Sequence, residues 1–410
     1  MTTMSARLSA MMFLQFFIWG GWFVTLGTFL SSNLGASGGQ IGMAFSTQSW
    51  GAIIAPFVIG LIADRYFNAE RILAVLHLIG AVLLFQLYRA ADFSTFYPFV
   101  LAYMMIYMPT LALVNSVAFR QMRDPALEFS RIRVWGTIGW IVAGVVISFV
   151  FAWDSQQAIS SGGLRNTFLM SAIASFALGL YSFTLPRTAP LPREPGSGGL
   201  KQMLGLDALG LLKDRSYLVF FIASILICIP LAFYYQNANP FLAEIGVTNP
   251  TAKMAIGQVS EVLFMLLLPL FIHRFGIKLA LLVGMLAWAL RYLLFAYGNN
   301  GDLAFMLFTG IALHGICYDF FFVSGQIYTD AKASERFRSS AQGLITLATY
   351  GVGMLIGFWV AGQVTDHYAS ADSHEWKSIW LFPAGFALAI FFCFSLAFNG
   401  RQSQAVQSNG

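Results

Sequence analysis

The stretch that decides the fold is LSAMMFLQFFIWGGWFVTLGTFL, residues 8–30, which contains no charged side chain. A helix needs about 20 apolar residues to cross the hydrocarbon core of a bilayer. This run is too long for the apolar region of a signal peptide, and no cleavage site of small residues is clear. We therefore expect it to be the first transmembrane span.

Eleven runs of the same kind follow the first one. The whole chain of 410 residues is 58% hydrophobic and 10% charged, whereas a soluble domain is roughly 25% charged. The composition therefore predicts an all-α polytopic membrane protein with 12 transmembrane helices. The later spans are predicted at 41–61, 71–89, 97–119, 134–151, 167–185, 217–241, 252–271, 279–297, 303–327, 341–364 and 379–398.

The longest polar segment between spans, residues 186–215, divides the spans six and six. It contains a Gly-Ser-Gly-Gly linker at 196–199 and then a short amphipathic stretch at 204–213, which is typical of an interfacial helix. We expect an N-terminal six-helix bundle at 1–185, a cytoplasmic linker at 186–215, a C-terminal bundle at 216–398 and a cytoplasmic tail at 399–410.

Basic residues predict the orientation of the chain. With the N-terminus inside, 18 of the 23 Lys and Arg residues fall in cytoplasmic segments and four fall outside. This bias follows the positive-inside rule, so both termini are expected in the cytoplasm. The net charge of +5 is thus explained by topology, and we expect no nucleic-acid partner. Without a signal peptide or long outer loops, the chain is expected in a bacterial inner membrane.

Two carboxylic acids are predicted to lie deep inside spans, Glu261 in the eighth and Asp319 in the tenth. A charge at the bilayer centre costs at least about 2.5–3.5 kcal/mol. Burial also raises the pKa of a carboxyl group, which favours proton uptake near neutral pH. These residues are therefore candidates for proton coupling. The alternative is a permanent ion pair, for example between Asp319 and Arg291.

Other polar residues share helix faces with these acids or form faces of their own. Gln258 lies three residues before Glu261, and Tyr318 lies four residues after His314. Arg133, Thr137 and Trp140 form a ladder of cation, hydroxyl and ring, which suits a flat solute with hydrogen-bonding groups. Contacts between helices and positive-inside anchoring are the alternatives for these sets. We expect packing to explain Gln15.

The seventh span ends in two tyrosines, Tyr234 and Tyr235, followed by Gln-Asn-Ala-Asn-Pro. One interpretation is a helix end that Pro240 terminates. The other is that Tyr235 or Gln236 faces a solute.

The chain resembles known transporters in several segments. Gly60-Leu-Ile-Ala-Asp64-Arg65 resembles the loop motif of the major facilitator superfamily. Within it, the chain resembles the nucleoside–proton symporter family. The matching segments are Phe-Leu-Gln-Phe-Phe-Ile-Trp-Gly (13–20), Tyr-Met-Pro-Thr-Leu-Ala-Leu-Val-Asn (107–115), Ile-Arg-Val-Trp-Gly-Thr-Ile-Gly (132–139), Leu-Gly-Leu-Asp-Ala (204–208), Gln-Val-Ser-Glu (258–261), Asp-Phe-Phe (319–321) and Ser-Ala-Gln-Gly (340–343).

This resemblance implies the major facilitator fold, with two six-helix repeats, and import of nucleosides with protons by alternating access. It implies proton coupling or substrate binding by Glu261 and Asp319, and a conformational role for Gly60, Asp64 and Arg65. The substrate contacts are expected at Arg133, Thr137, Trp140, Tyr235, Gln258, Glu261, His314 and Tyr318.

The seventh and tenth spans depart from the nucleoside permeases of this family. Ala232 and Tyr235 stand where those permeases carry two amides, His314 and Tyr318 stand where they carry Tyr and Phe, and Trp140 replaces a Phe. A proton-coupled importer of a sugar or glycoside therefore stays open as the alternative.

The chain carries no motif that is typical of an enzyme. It lacks His-Glu-x-x-His, Gly-x-Ser-x-Gly and a Walker phosphate loop, and its three cysteines are not spaced as metal ligands. We expect a transporter without cofactor or metal, which acts as a monomer on a small-molecule substrate and protons.

Overall fold

The computed structural model describes residues 3–58, 67–122, 125–189, 206–334, 338–370 and 373–399. In these ranges the chain is almost entirely helical, and the β contact found there is an isolated bridge between Ala369 and His374. Nine helices in the described ranges are long and apolar enough to cross a membrane. The predicted all-α class is confirmed.

Helices overlap every predicted span. Those of the first half are Thr3–Phe23, Leu26–Leu34, Gly38–Val58, Ala69–Arg89, Phe93–Gln121, Pro125–Val145, Gln156–Ser160 and Asn166–Ser182, with a π-helical turn at Val146–Val150 and a 3-10 turn at Gly163–Arg165. Those of the second half are Arg215–Glu244, Pro250–Tyr297, Ala304–Ala312, His314–Tyr318, Ser324–Lys332, Arg338–Thr346, Met354–His367 and Trp376–Ala397, with a 3-10 helix at Leu206–Lys213 and π-helical turns at Asp319–Val323 and Leu347–Gly353.

The chain divides into two compact units, one of Met1–Ser197 with Gly246–Ala255 and the other of Gly198–Ile245 with Ile256–Gly410. In the first unit, Asp154 explains why a segment from far along the chain belongs to it. Its Oδ2 accepts hydrogen bonds from Ser148 Oγ at 2.6 Å and from the backbone N–H of Thr251 at 3.0 Å. The carboxylate thus caps the first turn of the helix that begins at Pro250.

Glycines let helices approach closely inside the first unit. The Thr3–Phe23 helix packs on the Pro125–Val145 helix, and a Cβ on Gly139 would lie 2.2 Å from the carbonyl oxygen of Phe13. A Cβ on Gly20 would lie 3.0 Å from the ring of Trp140. Small residues are the usual means of close packing between membrane helices. They fix Trp140 against the first span.

Small residues also allow close helix packing in the second unit. The Arg215–Glu244 helix packs on the Met354–His367 helix, where a Cβ on Gly357 would lie 2.7 Å from that of Ala232. Large aromatic residues fill the interior beside this contact, and the rings of Tyr292 and Trp380 stack with centroids 5.5 Å apart. This packing holds Arg291, next to Tyr292, at a fully buried position.

Two local features differ from the sequence interpretation. Pro240 does not end the seventh span, because the helix continues to Glu244. The eighth and ninth spans are joined without a loop, since only Gly276 leaves helical geometry in Pro250–Tyr297, with φ 78° and ψ 167°. A positive φ of this size is a conformation that glycine adopts without strain.

Candidate functional site

The first group of predicted site residues lies on the Pro125–Val145 helix of the first unit. Arg133, Thr137 and Trp140 are all half-buried. The guanidinium carbon of Arg133 lies 4.1 Å from the centre of the Phe16 ring, a cation–π distance. The ring of Trp140 meets that of Trp19 edge-on, with centroids 5.6 Å apart. The first span thus supplies aromatic neighbours for both ends of the ladder.

Trp19 is the centre of the aromatic cluster beside this ladder. Its ring centroid lies 5.7 Å from that of Phe23 and 5.7 Å from that of Tyr107. Flat rings beside a fixed cation and a hydroxyl can stack on a planar solute and hydrogen-bond to its edge. The aromatic contacts between helices could not be derived from spacing along one helix.

A buried polar network lies in the same unit. Gln15 is fully buried; its amide donates to Thr110 Oγ1 at 2.7 Å, and its amide oxygen lies 2.8 Å from His77 Nε2. His77 Nδ1 lies 3.1 Å from Ser175 Oγ. Both ends of the Gln15 amide are thus hydrogen-bonded inside the helix bundle. This agrees with the expectation that contacts between helices explain Gln15. Sequence reasoning missed His77, although an isolated histidine inside an apolar run was the available signal.

The second group lies in the second unit, where the eighth and tenth spans pack closely at two glycines. Gly315 N donates to Ser260 Oγ at 3.0 Å, and a Cβ on Gly257 would lie 3.1 Å from that of His314. This contact brings Glu261 against the tenth span. The Glu261 side chain is 22% exposed, and Gln258 one turn earlier is half-buried.

His314 is a buried bridge between a cation and a carboxylate. Its Nδ1 lies 3.1 Å from Arg291 Nη1, and its Nε2 lies 3.8 Å from Glu261 Oε2. Because an arginine side chain has donors and no acceptor, Nδ1 accepts this hydrogen bond. The proton of the neutral ring is therefore on Nε2, which points to Glu261.

Arg291 is fully buried in the second unit. Its guanidinium carbon lies 3.4 Å from the centre of the Tyr234 ring and 5.6 Å from that of Trp288. In the described residues, Arg291 and Asp319 form no ion pair or hydrogen bond with each other. The alternative of an Asp319–Arg291 pair is therefore wrong, because Arg291 is turned to His314 and Tyr234.

Asp319 is fully buried, and neither of its carboxyl oxygens has a hydrogen-bond partner among the described residues. It starts the π-helical turn Asp319–Val323, and its neighbour Tyr318 ends a short α-helix. π-Helical turns in α-helices occur frequently at functional sites. An ionised carboxylate in this position would be costly, so the arrangement favours the protonated acid.

The tyrosines complete the second group. The hydroxyl of Tyr318 is hydrogen-bonded to that of Tyr350, which lies in the π-helical turn Leu347–Gly353. Tyr235 is half-buried, while its neighbour Tyr234 is buried under Arg291. Sequence reasoning missed Tyr350. A single tyrosine in an apolar run gave no signal of its partner on another helix.

The predicted loop motif of Gly60, Asp64 and Arg65 lies outside the described residues. Within the described ranges, no group of three or more His, Cys, Asp or Glu side chains could hold a metal ion.

Known proteins resemble this chain over almost its full length. The putative nucleoside transporter YegT of Escherichia coli K12 is 42% identical over 411 residues, covering 98% of this chain and 95% of YegT. The xanthosine permease of the same organism is 35% identical over 416 residues, covering 97% of each chain. The crystal structure of the nucleoside transporter NupG matches with a TM-score of 0.88 at 31% identity, covering 97% of this chain and 100% of that one.

The profile of the nucleoside H+ symporter family matches residues 1–403. Together with identities above 30% over nearly whole chains, this match confirms the family expected from the sequence: the chain belongs to the nucleoside H+ symporter family.

Proposed function

We propose that the chain imports nucleosides together with protons across a bacterial inner membrane, by alternating access and without catalysis. The family match over residues 1–403 supports this proposal, as do relatives named for nucleosides and xanthosine. Both termini are proposed to be cytoplasmic, in line with the positions of Lys and Arg.

Recognition of the nucleoside is proposed to involve both groups of residues. Trp140 supplies a stacking surface for the base, with Arg133 and Thr137 as hydrogen-bond donors on the same helix. Gln258 and Glu261 suit a ribose diol, because they offer an amide and a carboxylate on one helix face. Tyr235, His314 and Tyr318 are further proposed substrate contacts within the second unit.

The observation that carries proton coupling is the burial of Asp319. A fully buried carboxyl group without a hydrogen-bond partner in the described residues is stable when it is protonated. It releases its proton when a conformational change brings water or a cation to it, because both favour the ionised carboxylate. A proton that moves inward down 100 mV releases about 2.3 kcal/mol, which suffices for roughly fiftyfold accumulation of a solute.

The test is uptake of labelled uridine by proteoliposomes with an imposed inward proton gradient. Wild-type protein is expected to accumulate uridine, and Asp319→Asn to equilibrate it without accumulation. Accumulation by Asp319→Asn would overturn the coupling role of Asp319. Absence of gradient-dependent uptake of any nucleoside by the wild type would overturn the function.

The alternative of a sugar or glycoside substrate is less well supported, because the close relatives are named for nucleosides. Competition decides between the two. We expect excess unlabelled nucleosides, and not simple sugars, to suppress uridine uptake.

A further inference from the structure

Arg291 is a buried positive charge that has no role in the proposed function. It is a permanently charged side chain at a fully buried position in a membrane helix, where a bare cation is costly. Its Nε and Nη2 have no hydrogen-bond partner among the described residues. Its neighbours within 6 Å include the rings of Tyr234, Trp288 and Phe295. These rings stabilise a cation through their faces, but they do not neutralise its charge.

His314 is the polar link from this cation to a carboxylate. It is 2% exposed and lies flat beside the Tyr234 ring, with centroids 5.3 Å apart and an angle of 25° between the planes. Packing therefore fixes the ring plane, and Arg291 fixes the tautomer. The lone pair of Nδ1 faces Arg291, and the N–H of Nε2 faces Glu261. The imidazole dipole is thus aligned between a positive and a negative charge.

The groups around Glu261 sort into two kinds. His314 and, behind it, Arg291 favour its negative charge. Asp319 and Tyr235, which also interact electrostatically with it, are neutral or would repel it if ionised. Two carboxyl groups that interact in this way do not ionise equally. The one that is linked to a cation keeps its charge.

We propose that Arg291 acts through His314 to hold Glu261 as a carboxylate, ready to accept hydrogen bonds from the nucleoside. Arg291 and His314 are positioning residues in this arrangement, and Glu261 touches the solute. The inference rests on the proposed function for the identity of the solute. It rests on the described geometry for the charge state of Glu261.

The charge state can be measured without any substrate, by infrared spectroscopy of the purified protein at neutral pH. Asp319 as the protonated acid already gives wild-type protein a carboxylic-acid C=O band, and Arg291→Gln is expected to add a second one. The second band is expected to be missing from the double variant Arg291→Gln/Glu261→Gln. Cys393→Ser, an exposed position on the last helix, is the control and adds no band. If Arg291→Gln leaves the carboxyl spectrum unchanged, the inference is overturned.

A second pair of variants tests the bridge itself and serves if Arg291→Gln does not fold. In His314→Gln the side-chain amide can accept from Arg291 and donate to Glu261. In His314→Phe an aromatic ring is kept, but it can neither accept from Arg291 nor direct an N–H at Glu261. We expect KM for uridine to be about tenfold higher in His314→Phe than in His314→Gln. Thermal stability is expected to be lower in His314→Phe, because the buried Arg291 loses its hydrogen-bond acceptor, so KM is compared on folded protein. Equal KM values in the two variants would overturn the bridge.

The outcomes separate the two proposals. If the wild type transports no nucleoside, the proposed function is wrong, yet the infrared experiment still decides whether Arg291 controls Glu261. If nucleosides are transported and the second infrared band is missing from Arg291→Gln, the function stands and the positioning role is wrong.

Discussion

Gly315 donates its backbone N–H to the side-chain hydroxyl oxygen of Ser260 over 3.0 Å, so the backbone of the tenth span lies directly against Ser260 of the eighth. A Cβ on Gly315 would lie 2.5 Å from the carbonyl carbon of Ser260 and 2.6 Å from the nitrogen of Glu261. Both are backbone atoms, which cannot move aside as a flexible side chain could. The position of His314 beside Glu261 depends on this contact.

Gly315→Ala is therefore expected to separate the two spans and to abolish most uridine uptake. Overpacking costs about 1–3 kcal/mol, more than the roughly 1 kcal/mol that alanine gains over glycine in a helix. Gly385→Ala is the matched control, since nothing lies within 4 Å of a Cβ there. Uptake and thermal stability in detergent measure both effects. Full uptake by Gly315→Ala would show that the contact is not needed.

Trp140 is expected to act as a stacking surface, so its aromatic character matters more than its exact shape. Trp140→Phe should retain most of the affinity for uridine. Trp140→Ala should raise KM about tenfold, since stacking of a base on an aromatic side chain contributes about 1–3 kcal/mol. Trp359→Ala, at a position that is 66% exposed, is the control. Equal KM values for Trp140→Ala and wild type would contradict this role.

Tyr318 and Tyr350 share one hydrogen bond between their hydroxyl groups. Tyr318→Phe and Tyr350→Phe each remove it and should each lower the free energy of unfolding by about 1 kcal/mol. The double variant should be little worse than either single variant, because the same interaction is lost. Thermal unfolding of the four proteins measures this. A change in uridine KM in Tyr318→Phe alone would indicate that its hydroxyl contacts the solute directly.

Asp214 caps the Arg215–Glu244 helix outside the membrane. It accepts from the backbone N–H of Tyr217 at 2.9 Å, and Lys332 Nζ donates to it at 2.9 Å. Partial burial alone would raise its pKa, but the bonds from Tyr217 and Lys332 outweigh it and hold the pKa below its usual 3.8. Because the folded pKa is the lower one, the stabilisation is present above about pH 4 and is lost as the pH falls through the folded pKa.

At neutral pH, Asp214→Ala should lower the free energy of unfolding by about 1 kcal/mol. Asp214→Asn should lower it by less, because asparagine also caps helices and only a partly exposed ion pair is lost. Below the folded pKa of Asp214, wild type and Asp214→Asn should converge. Equal thermal stability of Asp214→Ala and wild type at pH 7 would contradict the cap.

The sequence was sufficient to predict features that depend on the length of an apolar run or on residue spacing within one helix. Apolar runs located the spans, and i, i+3 and i, i+4 spacing placed Gln258 with Glu261 and His314 with Tyr318. Contacts between helices were beyond this reasoning. The alternative interpretation paired Arg291 with Asp319, whereas its partner is His314. Which helix faces meet depends on small residues such as Gly257 and Gly315.

Irregular helical geometry was also not predicted from the sequence. One of the two interpretations placed a helix end at Pro240, yet the helix continues past it to Glu244. Proline is tolerated in membrane helices where neighbours satisfy the freed groups. The π-helical turns at Asp319–Val323 and Leu347–Gly353 have no residue signature comparable to a proline or a glycine pair. Tyr350 lies in the second of these turns.

The π-helical turn at Asp319 makes the tenth span tolerant of a one-residue change in length at this point. A π turn holds one residue more than an α turn, and each residue of an α-helix turns the chain by about 100°. A family member with a one-residue gap between positions 319 and 323 can therefore close this turn as an α turn and keep everything from Ser324 onward on the same face as here. A one-residue gap in an α-helical part of the same span would instead rotate all later side chains by about 100°, even where every neighbouring residue is identical.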